Sequence, residues 1–152
     1  MKELNTTDRK KEFKKQYKEN ILPFFENHGF QRHTKTSTRL FKHLENGLSV
    51  WIFFEYKTFG YGFYDMTISY FDEEIGNVNN DMYLVMANIK LPQIRMKYGF
   101  TDAVTQFLQE AEKIVISFID SNKTHADILN NLDQFGKIAR KNCLEVLKRK
   151  SR

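Results

Sequence analysis

Four histidines, one cysteine and one run of acids are the residues in this 152-residue chain whose types could do chemistry. His33 and His43 fall on neighbouring predicted strands, and Glu55 on the strand after them. Two imidazoles and a carboxylate brought together could hold a metal or share acid–base work, although their spacing matches no recognised ligand pattern. Asp72-Glu73-Glu74 could bind a cation or act as paired carboxylates. It reads equally as the acidic turn that ends a strand. His28 stands at the end of a predicted helix, where a cation suits the helix dipole. His125 stands at a helix start and is expected to face solvent. Cys143 lies on an apolar helical stripe. A nucleophilic thiol needs a depressed pKa and a nearby base, and nothing local in the sequence supplies either, so Cys143 reads as a small buried hydrophobe. Gly60-Tyr61-Gly62 lacks the spacing of a phosphate loop and no helix follows it, so its glycines serve turn geometry. No catalytic residue, metal or cofactor is expected.

The chain is instead rich in rings: 14 Phe, 7 Tyr and 1 Trp. They concentrate between Arg39 and Tyr70. Asn46-Gly47 is a strong hairpin signal, because a type I′ turn needs positive φ at both central residues. A two-residue turn there sets Leu40 opposite Phe53 and Phe41 opposite Ile52. One face then carries Phe41, Val50, Ile52, Phe54 and Tyr56, the expected core. The other carries Leu40, Leu44, Trp51 and Phe53 with Lys42 and Glu55, and is too apolar to stand bare in water. The C-terminal helices are its expected cover, with a partner as the alternative. The candidate binding residues are Arg39, Lys42, Trp51, Phe53 and Lys57, with Phe59 and Tyr61 on the adjoining loop. Tyr and Phe supply contact area at low entropy cost.

The elements that must position these residues follow from periodicity. Thr6-Thr7-Asp8 starts a helix, and Phe13, Tyr17, Ile21, Phe24 and His28 recur along one face. Pro23 predicts a kink near Glu19–Leu22, and Gly29 a left-handed stop. Strands are predicted over 30–34, 38–44, 48–57 and 63–71, and part of 82–98 as strand or extended chain. Thr101 opens a helix to about Ser121, and Thr124 caps a last helix running to about Leu147. The expected fold is α+β in a single domain, residues 1–152: an N-terminal helix on an antiparallel sheet of about four strands, then two helices.

The net charge of +5 is uneven. Residues 1–20 hold seven Lys/Arg against four acids, residues 21–136 ten against fourteen, and residues 137–152 seven against one. The basic ends are expected to fray at 1–7 and 148–152, with Lys148-Arg149-Lys150 trailing into solvent. A nucleic acid would first feel the C-terminal run. No apolar stretch approaches a membrane span or a secretory signal, and one cysteine suits a reducing compartment. The expected location is the cytoplasm, with no membrane partner.

The first half carries a recognisable pattern. A helix ends in His28-Gly29-Phe30, a short strand leads to Arg39-Leu40-Phe41, and an apolar strand ends in Phe53-Phe54-Glu55-Tyr56-Lys57 before an aromatic, glycine-bearing loop. Over roughly residues 10–75 this resembles the bacterial domain-of-unknown-function family 4304, with Glu55 near the place of a Gln in the family's motif. The resemblance implies no established activity. Neighbourhood to toxin systems in some members implies an immunity-type binder. The leading expectation is therefore a non-enzymatic module that binds a protein. The alternatives are a single-stranded nucleic-acid binder that uses the basic ends and sheet aromatics, and an enzyme or metal site at His33, His43 and Glu55.

Overall fold

A computed structural model describes residues 6–57, 62–95, 100–138 and 140–152. Helix α1 (Thr6–Gln16) widens into a π-helical turn, Tyr17–Ile21, and resumes as α2 (Leu22–Asn27). Pro23 explains the widening. It has no N–H for the preceding turn, and its ring pushes that turn open, so the Leu22 N–H reaches back to the Tyr17 carbonyl. The widened turn overlaps residues 19–22, where Pro23 predicts a kink. Gly29 then stops the helix at φ +89°. The Phe30 N–H donates to the Phe25 carbonyl and the Gly29 N–H to that of Glu26, both at 3.0 Å. These are the two bonds of a Schellman motif, and the Phe25 and Phe30 rings close it at 5.8 Å.

Among the described residues the sheet is antiparallel and has six strands: β1 (Gln31–Arg32), β2 (Arg39–His43), β3 (Leu48–Lys57), β4 (Phe63–Asp72), β5 (Val85–Met86) and β6 (Ile94–Arg95). The first five are ordered β1-β2-β3-β4-β5, and β6 also pairs with β4. β5 meets β4 at Ser69 and Tyr70, β6 at Phe63 and Tyr64. The two short strands fall within the predicted 82–98 segment, of which residues 96–98 lie outside the described residues. The fold is α+β, as the periodicity predicts.

The hairpin register differs from expectation by one residue. Leu40 faces Ile52 and Phe41 faces Trp51. The type I′ turn is present: Asn46 and Gly47 have φ of +46° and +79°, and the Leu48 N–H donates to the Glu45 carbonyl. But the Leu44 N–H also bonds the Leu48 carbonyl, so Leu44 and Glu45 together oppose Leu48. That is a β-bulge, which adds one residue to one strand. A one-residue slip turns every side chain of β2 over. Leu40 is therefore fully buried in the core with Val50 and Ile52, while Phe41 lies on the opposite face against Trp51. Lys42 turns over too.

The long third helix comprises α3 (Phe100–Glu110), a π-helical segment Ala111–Ile116 and α4 (Ser117–Ser121). The predicted last helix is broken. α5 (His125–Asn130) runs into a 3₁₀ turn, Leu132–Gln134, and α6 (Lys141–Lys150) starts afresh. Between them the chain joins the sheet: Phe135 bridges Ala87, the Asn88 N–H donates to Gln134, and the Gly136 N–H donates to Met86. Ile128, Leu132, Phe135 and Cys143 keep helical spacing, but Phe135 reaches the core from extended chain.

The helices pack on the face of Val50, Ile52 and Phe54. Tyr17, Phe25 and Phe107 set their rings 5.6, 6.1 and 6.1 Å from that of Phe54, and Phe118 meets Tyr70 at 6.4 Å. Each such side chain withdrawn from water contributes roughly 2 kcal/mol before entropy is counted.

Candidate functional site

Trp51 and Phe53 point away from this core. Alternation along β3 and β4 puts Ser49, Trp51, Phe53, Glu55 and Lys57 on one face with Asp65, Thr67, Ser69 and Phe71. The bulge adds Arg39, Phe41 and His43 of β2. The C-terminal helices, expected to cover this face, lie on the other. The rings cover one another instead. Phe41 stacks on Trp51 at 4.8 Å, His33 meets it at 5.1 Å, and Phe71 and Phe53 follow at 6.0 and 6.2 Å. The indole N–H donates to Ser49 Oγ at 3.0 Å, so Trp51 forms a floor with 9% of its surface exposed. Phe41 and Phe53 are half-buried, and Arg39, His33 and His43 are exposed at the rim. The Arg39 guanidinium lies 5.1 Å over the Phe53 ring, a cation–π contact that pre-orients a long side chain. Beside it Arg39, Phe53, Glu55, Asp65 and Thr67 line a depression of about 460 Å³.

The structure places the other candidate residues as follows. Lys57 lies on this face and pairs with Glu55 at 3.0 Å. Lys42 does not lie there: its Nζ donates to the His28 carbonyl at 3.1 Å and caps the end of α2 from the helix side. Phe59 and Tyr61 lie outside the described residues. His33, His43 and Glu55 are not brought together. The His33 N–H bonds the Arg39 carbonyl, and His43 lies four residues further along β2, about 13 Å at the rise of a strand. Among the described residues, no group of three His, Cys, Asp or Glu could hold a metal. His28 pairs with Glu112 at 3.1 Å across helices. Cys143 is buried, with its sulfur 3.9 Å from the Tyr83 carbonyl.

A second cluster was not legible as such. At the end of β4, Asp72 is fully buried, and so is His125. His125 Nε2 lies 2.7 Å from Asp72 Oδ2, which corrects the expectation of a solvent-facing imidazole. Thr124 caps α5 by accepting from the Asp127 N–H at 3.0 Å, and this sets the helix start against the strand end. Lys150 Nζ reaches both Asp72 oxygens at 3.0–3.1 Å and the Asn46 carbonyl at 2.8 Å. Arg149 and Lys150 also hold Glu74, at 2.6 and 3.2 Å. The basic run does not trail into solvent. It closes on the acidic turn, and the Lys150 side chain is 7% exposed.

The electrostatics follow from this packing. Burial disfavours the Asp72 carboxylate, but bonds from His125, the Glu74 N–H and Lys150 outweigh it and hold its pKa below the usual value. Burial likewise opposes the Lys150 ammonium, and Asp72 and Glu74 outweigh it, so its pKa is raised. Glu74 is lowered by Arg149 first and Lys150 second. Beside this cluster Tyr70 donates to the Asn122 carbonyl at 2.8 Å, and burial pushes its phenol well up. Asp72 and His125 have the spacing of an acid–base dyad, but neither meets solvent, so no substrate reaches them. The cluster ties β4, α5 and α6 together. The only sequence signal was two opposite charge runs, Asp72-Glu73-Glu74 and Lys148-Arg149-Lys150.

No family model, curated protein or solved structure matches this chain. Among the described residues, no helix is long and apolar enough to cross a membrane.

Proposed function

We propose that this chain is a non-catalytic binding module of the inhibitor or immunity type, which holds a protein partner on the outer face of its sheet. The observation that carries this reading is the position of Phe41, Trp51 and Phe53, side by side on the face opposite the helices, with Arg39 laid over Phe53. Aromatic residues and arginine dominate the energetics of protein interfaces: the rings bury large areas with few rotors to freeze, and the guanidinium stacks on rings and donates several hydrogen bonds. The resemblance of residues 10–75 to family 4304 implies the same kind of binder, and no family model matches the chain.

A single-stranded nucleic acid could also stack on exposed rings beside Arg39 and Lys57. A protein is preferred because Arg149 and Lys150, the basic residues that reading would recruit, are engaged by Asp72 and Glu74. An enzyme or metal site at His33, His43 and Glu55 has no support from their separated positions.

Affinity capture from cells of the source organism tests the proposal. A protein partner should be retained by the wild type and by Lys141→Glu, at an exposed position of α6, and lost with Phe53→Asp. Retention by Phe53→Asp would reject this surface. Retention of a single-stranded oligonucleotide that falls steeply with salt would favour the nucleic-acid reading.

A further inference from the structure

His125 makes one hydrogen bond and leaves one ring nitrogen without a partner. Its Nδ1 is buried and unbonded, and 3.9 Å away stands Glu45 Oε1, in the turn between β2 and β3. That distance is too long for a hydrogen bond. The protonation of the ring follows from its other side. Asp72 already accepts from the Lys150 ammonium and the Glu74 N–H, so its carboxylate is ionised and can only accept. Nε2 must therefore donate to it. In the neutral ring the proton sits on Nε2, and Nδ1 presents a bare lone pair towards a carboxylate. Two acceptors face one another with no proton between them.

We infer that His125 is a proton-operated latch between α5 and the β2–β3 turn. When Nδ1 takes up a proton, the ring becomes an imidazolium with donors at both ends. One remains on Asp72, and the other is presented to Glu45. Glu45 is half exposed and can swing in to accept it. The charges around the ring favour the step. Asp72 on β4, Glu45 in the hairpin turn, and Glu73 and Glu74 after β4 set four carboxylates against Lys150 and Arg149 of α6. Asp127 of α5 caps the Lys123 N–H. The same turn already receives Lys150 on the Asn46 carbonyl. The latch therefore acts on a segment that the C-terminal helix also holds, and joins β2–β3, β4, α5 and α6 at one point. In the protonated state the turn is therefore held by one further, charge-assisted bond, from Nδ1–H to Glu45.

Nitrogen NMR of the His125 ring in the whole chain, followed from about pH 8 to about pH 5, tests this. The expected result is an Nε2–H tautomer at the upper end and protons on both nitrogens at the lower end, with the Glu45 and Asn46 amide resonances moving on the same titration curve. In Glu45→Gln, a surface change that should leave the fold intact, the ring should titrate at lower pH and the turn amides should stop following it. A proton on Nδ1 at pH 8, a ring that stays neutral throughout, or identical titrations in the wild type and Glu45→Gln would each overturn the inference.

Discussion

Asp72 and Lys150, 78 residues apart in sequence, meet at 3.0 Å with neither side chain more than 7% exposed. This contact closes the C-terminal helix onto the end of the longest hairpin. A buried pair gains little over an apolar replacement of the same shape, but breaking it by removing one partner leaves a bare charge. Lys150→Met should destabilise the fold by about 3 kcal/mol, by that logic. Urea denaturation measures it, and a loss under about 0.5 kcal/mol, the range of ordinary surface changes, would show that the pair is not holding the helix.

The pH dependence of stability follows from the same contact. The folded pKa of Asp72 lies below its unfolded value. Its contribution is therefore present above about pH 4, the unfolded value of an aspartate, and is lost as pH falls through the depressed folded pKa. Glu74 shifts the same way. Lys150 is raised, so its contribution is complete below about pH 10, the unfolded value of a lysine, and is lost as pH rises through the folded one. Urea midpoints should fall as pH drops below the first of these limits and as it rises past the second. Lys150→Met should flatten the acid limb.

Gly29→Ala tests the helix stop. At φ +89° an alanine is strained, and its Cβ would meet Lys42 Cε at 3.2 Å. The lysine end can give way, but the backbone cannot, and the left-handed conformation costs a non-glycine residue about 1–2 kcal/mol. A calorimetric loss of that size is expected. An unchanged midpoint would mean that the Schellman bonds to Phe25 and Glu26 contribute nothing.

Tyr70→Phe removes the phenol that donates to the Asn122 carbonyl. A buried acceptor left without its donor costs about 1–3 kcal/mol. The Asn122 side-chain amide donates to the Phe118 carbonyl and to Gln134 and cannot satisfy the Asn122 carbonyl, so a loss within this range is expected from the same denaturation curves.

Features that depend on local chemistry were legible in the sequence. Pro23, Gly29, Thr124 and Asn46-Gly47 each dictate a backbone event, and each event occurs where the residue stands. Features that depend on a second segment were not. The bulge at Leu44 and Glu45 needs the Leu48 carbonyl to accept from Leu44, which no hairpin rule announces. It exchanged the faces of Leu40 and Phe41 and removed Lys42 from the candidate surface. Phe135 keeps helical phase, yet Asn88 and Met86 draw its neighbours into the sheet. His125 reads as an exposed helix start until Asp72 is brought beside it. Trp51 and Phe53 were recognisable as a second apolar face, but which face the helices take is a property of the packing.

The outer face is the part of this molecule that the helices do not use, and paired readings on one variant test that directly. Arg39→Glu with Phe53→Asp should leave the thermal midpoint within about 4 °C of the wild type, the shift expected from roughly 1 kcal/mol in a chain of this size, while capture of the protein partner is lost. A midpoint that collapses would make these side chains part of the core. A midpoint that holds with capture undiminished would mean that the partner binds elsewhere.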